Sequence, residues 1–190
     1  MVEINLQQLF QKAFGVSMPE YKLNALYKST PPNNSMYGTP FYGSNPITGQ
    51  YYFLPAFLDI NDDSDYELPF PIIRVQSQKI IVETPMTERK GSVVELVSQE
   101  SWKINIKGFI MSNNGLFPEQ QIKQLVQVYE LNRALRLRCA LTDLMLEADD
   151  RVVIKKLDFP EVKGIEHVKP YDMDLVSVSI FDLTDLTPLG

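Results

Sequence analysis

The sequence predicts an α+β fold in which a mostly antiparallel sheet or partial barrel packs against one main helix. The first observation is a series of β-branched and alternating segments from Ile72 onward, separated by residues typical of turns. The second is a single amphipathic helix, Pro118–Asn132, between two of these segments. The third is a proline-rich first part, which predicts an N-terminal helical and loop-rich arm. We therefore divide the chain into an arm (1–70), a core domain (71–184) and a tail (185–190).

The strand predictions follow from side-chain periodicity. Trp102–Ile110 is the clearest case, because its apolar residues alternate with Lys103, Asn105 and Lys107. The segment 141–148 instead predicts a helical turn with Leu141, Leu144 and Met145 directed inward. The remaining predicted strands are Ile72–Gln76, Lys79–Thr84, Gly91–Ser98, Leu135–Cys139, Arg151–Phe159 and Tyr171–Leu183.

The main helix is predicted by its start signal and by its two faces. Pro118 followed by Glu119 is a favourable helix start. Its apolar face carries Ile122, Leu125, Val126 and Tyr129, whereas the opposite face is rich in glutamine. Such a helix is expected to pack one side against a sheet.

Two short helices are predicted in the arm. Leu6, Leu9, Phe10 and Ala13 recur at helical spacing, and Gly15 follows where a left-handed C-cap is expected. A second stretch opens at Pro19, continues through Leu23, Leu26 and Tyr27, and stops at Pro31 and Pro32. We interpret both as helices that pack on the rest of the chain; the alternative is an arm that docks on a neighbouring subunit.

Residues 29–49 are rich in proline, asparagine and glycine, which favours turns and irregular extended structure over strands. Long loops of this kind are usually functional or lie against something else. Aromatic side chains within and just after the loop therefore indicate contact with another chain. These candidate partner contacts are Tyr37, Phe41, Tyr42, Tyr51 and Tyr52.

An acidic cluster, Asp59–Glu67, follows the apolar run Tyr51–Leu58, which is interrupted by Pro55. An EF-hand beginning at Asp59 would need glycine at its sixth position and glutamate at its twelfth, but these positions hold Ser64 and Phe70. We therefore interpret the cluster as a solvated hairpin tip between two strands, with a calcium site as the alternative.

Composition and charge exclude several classes of protein. The chain has 190 residues, 44% of them hydrophobic, and a net charge of −6, which repels a nucleic-acid backbone. One cysteine supplies neither an internal disulfide nor a zinc cluster of thiolates. The first residues lack the basic and apolar regions of a signal peptide, and no apolar run approaches the length of a membrane helix. We expect no nucleic-acid partner and no membrane insertion.

Residues suited to catalysis are scarce. The single histidine, His167, lies in a charged loop with no nucleophile motif near it, and Cys139 lies in an apolar segment typical of a buried thiol. We predict no catalytic, cofactor-binding or metal-binding residues, no cofactor and no enzymatic activity. Basic residues are concentrated in the second half, where Arg136 and Arg138 share one face of a strand and are candidate contacts for an acidic partner protein.

Six elements of the second half occur in a fixed order. They are a glycine-led strand, Gly91–Val97; a strand that ends in Ile-Lys-Gly-Phe-Ile at Ile106–Ile110; a helix with Leu125 and Tyr129; a short strand, Leu135–Leu137; a strand, Arg151–Leu157; and a closing strand that ends at Val178–Leu183. This order resembles small tail and baseplate proteins of bacteriophages, and most of all an uncharacterised domain family of Bacteroidetes prophages. The resemblance covers roughly 72–183 and implies a structural protein without catalytic residues or cofactor.

The resemblance and the lack of catalytic motifs together predict a structural subunit of a phage tail or baseplate, either a ring component or an adaptor close to the hub. Its partners would be other tail or baseplate proteins and further copies of itself in a ring. It would be made in the host cytoplasm and located in the virion. The alternative is a carbohydrate-binding or adhesin-like β module, in which the aromatic residues of the loop would line a sugar groove.

Overall fold

The fold is described from a computed structural model of the chain. The described residues are 11–15, 34–44, 51–61, 64–86, 92–112, 116–161 and 167–179. The second predicted helix of the arm lies outside these ranges, as does the first up to residue 10. Residues 11–14 are helical, and Gly15 ends the turn with φ of +66° and a hydrogen bond from its N–H to the Gln11 carbonyl. The predicted C-cap is therefore confirmed.

The largest sheet has four antiparallel strands. Strand β8, Lys103–Met111, lies between β5, Ile72–Gln76, and β11, Val168–Val178. Strand β10, Arg151–Asp158, pairs with the other side of β11. The nine-residue strand β8 is thus hydrogen-bonded on both sides, as its alternating sequence predicts.

A second antiparallel sheet has the strand order β4-β3-β9, in which β3 is Phe57–Asn61, β4 is Ser64–Glu67 and β9 is Arg136–Arg138. An isolated bridge between Leu135 and Val152 connects the start of β9 to β10, so the two sheets meet at one corner. Strands β3 and β4 form the hairpin predicted around the acidic cluster, with residues 62 and 63 outside the described part.

Two further pairs of strands complete the described β structure. Strands β1, Tyr42–Ser44, and β2, Tyr51–Phe53, form a small antiparallel pair. The prediction that 29–49 holds no strand is therefore wrong at β1, because this segment pairs with β2. Strands β6, Lys79–Pro85, and β7, Ser92–Gln99, form a separate two-stranded sheet, here called the ribbon.

Helix α1, Glu119–Tyr129, is shorter at its C-terminal end than the predicted helix. It buries Leu125 and Val128 against the sheets. A short 3-10 helix, Thr142–Leu144, stands where the helical turn is predicted. Leu144 is 59% exposed, so its predicted inward orientation is wrong. The predicted mostly antiparallel sheet is confirmed. The described sheets are open, however, and α1 contributes two buried residues, Leu125 and Val128, to the core.

The main core lies between the two sheets and α1. Ile104 and Ile106 of β8 and Tyr171 and Met173 of β11 direct their side chains into it and are at most 2% exposed. The core also takes residues from the predicted arm, namely Ala56, Leu58 and Leu68, each with no exposure. The predicted boundary at residue 70 is therefore not a division of the hydrophobic core, because β3 pairs with β9 of the core domain.

A smaller cluster covers the opposite face of the four-stranded sheet at one end. Phe109 and Met111 alternate with the inward residues of β8 and are buried there with Phe70 and Val168. Phe14 packs on Phe109, with ring centroids 5.8 Å apart. The end of the first helix is thus held on the sheet of its own chain, in agreement with the packing interpretation of that helix.

Candidate interaction surface

The ribbon is the part of the described structure in which apolar side chains are most exposed. All seven residues of β6 and all eight of β7 are classed as exposed. At about 3.3 Å per residue, the ribbon is about 23 Å long. Its apolar side chains are between 43% and 62% exposed. They are Ile80, Ile81, Val82, Val93, Val94, Leu96 and Val97.

Apolar residues occupy both faces of the ribbon. Residues directly opposite in an antiparallel pair share a face, and neighbours along a strand alternate. Ile81 opposite Leu96 therefore lies on one face, while Val82 and Val93 lie on the other. A ribbon that used one face to cover its own core would have a polar outer face. This ribbon is suited to burial on both sides.

The base of the ribbon is fixed to the four-stranded sheet by short polar contacts. Ser77 donates its hydroxyl to the Glu100 carbonyl at 2.9 Å, and the Glu100 N–H donates to the Gln78 carbonyl at 2.8 Å. Lys103, the first residue of β8, forms an ion pair with Glu100 at 2.5 Å. β5 pairs with β8, β5 leads into β6, and β7 leads into β8. The ribbon is therefore an extension of the β5–β8 pair beyond the core. Neither hydrophobic cluster of the described residues includes a ribbon residue.

The predicted aromatic contacts are distributed over different environments. Phe41 and Tyr42 both pack on Phe53, with centroid distances of 6.5 and 5.4 Å. Tyr37 and Tyr51 are 61% and 68% exposed. The structure thus brings the first two together and leaves the other two at the surface.

Tyr52 has a structural role within the chain. Its hydroxyl donates to the Glu67 carboxylate, and its ring lies 5.4 Å from that of Phe70. Burial, followed by the hydrogen bond and charge of Glu67, raises the pKa of Tyr52 far above its usual value. Gly43 lies against this ring, where a larger residue would not fit, because a Cβ at Gly43 would be 2.6 Å from the Tyr52 ring. The phenol is therefore held between β1 and β4.

The two predicted arginines also differ. Arg138 forms ion pairs with Asp59, at 2.9 Å, and with Asp65, and its guanidinium lies 5.8 Å from the centroid of the Phe57 ring. These contacts hold β9 against the β3–β4 hairpin. Arg136 is exposed on the same strand. Arg136 is thus available at the surface, whereas Arg138 is engaged within its own chain.

An open groove of about 900 Å³ lies beside β9. Tyr37, Arg136 and Leu144 are among its lining residues. On one wall the Thr39 hydroxyl donates to the Asp143 carboxylate, which fixes the turn that carries Tyr37. Of the five predicted aromatic residues, Tyr37 lines this groove.

The described residues contain no cluster of three or more potential metal ligands. The carboxylates of Asp59 and Asp65 from the acidic cluster both bind Arg138. Cys139 is fully buried, and burial raises the pKa of its thiol. Within the same residues, no helix is both long and apolar enough to span a membrane.

Sequence reasoning did not identify the ribbon as a surface, although the pattern was visible. The sequence predicts both runs as strands of the core domain. Their apolar residues are consecutive, as in Ile80-Ile81-Val82 and Val93-Val94. Consecutive apolar residues place hydrophobic side chains on both faces of a strand, which occurs in fully buried strands and in strands buried by a partner.

Comparisons with known proteins give a family but no activity. No curated protein sequence matches the chain significantly. A solved chain from the tail of an empty GTA particle with C6 symmetry is similar at 13% sequence identity and a TM-score of 0.36, covering 73% of this chain and 90% of that chain. Residues 67–188, more than half of the sequence, match the domain of unknown function DUF6046. The chain therefore belongs to the DUF6046 family.

Proposed function

We propose that this chain is a structural subunit of a phage tail or baseplate, a ring component or an adaptor close to the hub, that acts through protein–protein assembly. The observation that carries the assembly role is the ribbon, which exposes seven apolar side chains on two faces. Monomeric soluble proteins rarely expose contiguous apolar patches of more than a few hundred Å² unless a partner covers them.

The ribbon is also unsuited to remaining free. An isolated two-stranded hairpin is at best marginally stable in water, and apolar strands with free edges promote aggregation. Both problems are removed when neighbouring subunits cover the faces and edges of the ribbon. The ribbon is therefore expected to be more stable in an assembly than in a monomer.

The tail setting is supported by the order of elements in the second half, which resembles small tail and baseplate proteins. The proposal includes the absence of catalytic activity.

Incorporation into tail particles tests the proposal. Particles from a phage or prophage that encodes the chain would be purified with the wild type, with Leu96→Asp in the ribbon, and with Leu116→Asp as the control. Leu96 and Leu116 are 62% and 70% exposed, so neither change disturbs the core. We expect the wild type and Leu116→Asp in the particles, and a loss of about tenfold or more for Leu96→Asp, because a carboxylate would be buried without a partner.

Quantitative mass spectrometry of the particles gives the result. Absence of the wild-type chain from purified tails would contradict the tail role. Equal amounts of the two variants would contradict the role of the ribbon. A glycan array serves as the control for the alternative function, because an assembly subunit should bind no glycan whether Tyr37 is intact or changed to alanine.

A further inference from the structure

Strand β6 has a regular free edge. On one side it pairs with β7, and no other described strand pairs with it. Strand β7 is less regular, since the register passes from Ile80 opposite Ser98 to Ile81 opposite Leu96, which leaves Val97 as an extra residue. A bulge of this kind bends a strand and hinders further pairing at its edge. The edge of β6 is therefore the better site for an added strand.

The charges of β6 are arranged symmetrically about its middle. Lys79 and Glu83 lie two positions before and two positions after Ile81, on the same face, and all three are exposed. If a second β6 pairs antiparallel with Ile81 opposite Ile81, each Lys79 lies opposite Glu83 of the other copy. Opposite charges directly across a strand pair are stabilising. The strand is thus complementary to itself in this register.

Other registers lose this complementarity. Centring the pair on Glu83 places two carboxylates opposite each other, and centring it on Lys79 does the same with two ammonium groups; like charges directly opposite are destabilising. A pair of β7 strands has only Glu95 as a charged residue, so it cannot form opposite-charge pairs. In the register centred on Ile81, Ile80 lies opposite Val82 on the second face, which adds contacts between β-branched side chains.

Stability gives a second reason for this pairing. Two strands without a core are marginal, whereas sheets of three or more strands with an apolar face can be stable. Two ribbons joined through β6 form one four-stranded antiparallel sheet with the order β7-β6-β6-β7. The backbone groups at the free edge of β6, which no described strand of the same copy pairs, then gain hydrogen bonds.

We infer that the free edge of β6 binds a second copy of this chain, by antiparallel pairing of residues 79–83 centred on Ile81. The inference rests on the proposed assembly role and deepens it by naming the partner and the strand that binds it. The pairing is isologous, because the same residues serve both copies.

Disulfide trapping tests the register. Opposite residues in an antiparallel pair have Cα atoms about 4.5–5.5 Å apart, which lies within the range that a disulfide can bridge. Ile81→Cys should therefore form a covalent dimer under mild oxidation. Leu96→Cys is the matched control, because Leu96 lies opposite Ile81 on the same face of the ribbon but about 14 Å from its counterpart in the second copy. Cys139 is buried in the wild type and lies outside the ribbon, so it should not cross-link in either variant.

Charge reversal tests the partner residues. In the Ile81→Cys background, Lys79→Glu or Glu83→Lys alone should reduce the rate of dimer formation several-fold, and the two together should restore it. Equal cross-linking at positions 81 and 96 would overturn the inference, and so would a double reversal that remains as slow as the single ones. Far-ultraviolet circular dichroism confirms that each variant is folded.

The particle experiment separates this inference from the proposed function. If Ile81→Cys forms no dimer but wild-type chain is found in tail particles and Leu96→Asp is not, the self-pairing is wrong and the tail role stands. If the dimer forms and the wild-type chain is absent from particles, the pairing stands and the tail role is wrong.

Discussion

Strand β8 and the ribbon are made of similar residues and end in opposite environments. In β8, Ile104 and Ile106 are at most 2% exposed, because strands flank β8 on both sides and hydrophobic residues cover it. In the ribbon, Ile81 and Leu96 are 48% and 62% exposed. The comparison shows that apolar residues in a strand indicate that the strand will be buried. They do not indicate whether its own chain or another chain buries it.

The edges of the two regions differ as well. Strand β10, at the edge of the four-stranded sheet, has a register shift between Ile154 and Lys156 and exposed lysines at 155 and 156. A bulge and charged residues are common devices against unwanted strand addition. Strand β6 carries Lys79, Glu83 and, at its last position, Pro85, and the extra residue of its bulge lies on β7, so residues 79–83 have charges but no bulge at this edge.

The largest expected difference between the regions is in stability. Ile106→Ala should reduce the free energy of unfolding by about 2–5 kcal/mol, because it leaves a cavity in the core. Leu96→Ala in the ribbon should change it by about 0.5 kcal/mol or less. Urea unfolding of the two variants measures both values. A cost for Leu96→Ala as large as that for Ile106→Ala would mean that the free chain already buries the ribbon.

A smaller effect is expected at Gly108 of β8. A Cβ at this position would lie 2.5 Å from the Pro69 carbonyl oxygen and 2.5 Å from the Tyr171 hydroxyl. Gly108→Ala should therefore destabilise the protein by about 1–3 kcal/mol, since backbone and a packed ring must move. Ser98→Ala in the exposed ribbon is the control and should be close to neutral in the same unfolding experiment. A neutral Gly108→Ala would show that the core is looser than described.

Removing one buried hydrogen bond should reduce the free energy of unfolding by less than either of these two substitutions in β8. Tyr171 is fully buried and donates its hydroxyl to the Pro69 carbonyl at 3.0 Å. Tyr171→Phe keeps the ring and loses this bond, which should cost about 1 kcal/mol. The change in the midpoint of urea unfolding gives the value. A loss above that of Ile106→Ala would indicate that this bond, rather than apolar packing, dominates the core.

Thiol reactivity should distinguish the regions without changing stability. Burial raises the pKa of Cys139, so at pH 8 it has less of the reactive thiolate than a free cysteine, and the core also blocks access. A cysteine introduced by Leu96→Cys should react readily with a thiol reagent under the same conditions. Cys139 in the wild type should react only after unfolding. Rapid labelling of native wild type would contradict the burial of this residue.

Much of the fold could be predicted from local patterns, because strand periodicity and helix signals act over a few residues. The alternation of Trp102–Ile110 located β8, and Pro118 with Glu119 marked the start of α1. The core contribution of Leu58 and Leu68 could not be predicted, since it depends on the pairing of β3 with β9, which is nearly 80 residues away in the sequence. Leu144 shows the same limit, because one turn of 3-10 helix directs it outward.

The candidate surface was predicted less well than the fold. Aromatic residues in a proline-rich loop suggested an interface, but Tyr52 hydrogen-bonds to Glu67 and Phe41 stacks on Phe53 within the chain. Arg138 likewise binds Asp59 and Asp65. These partners are separated from it by more than 70 residues, so sequence spacing did not reveal them. Tyr37, Tyr51 and Arg136 stay predicted contacts at the surface.

Hydrogen exchange of the ribbon in the free chain and in assembled tail particles tests the central claim most directly. In the free chain, at a concentration low enough to keep it monomeric, amides of 79–84 and 92–99 should exchange much faster than those of β8 and β11, because the ribbon has no core. In particles, the ribbon amides should become protected to a similar degree as those of β8. Ribbon amides that exchange equally fast in the free chain and in the particles would contradict the account.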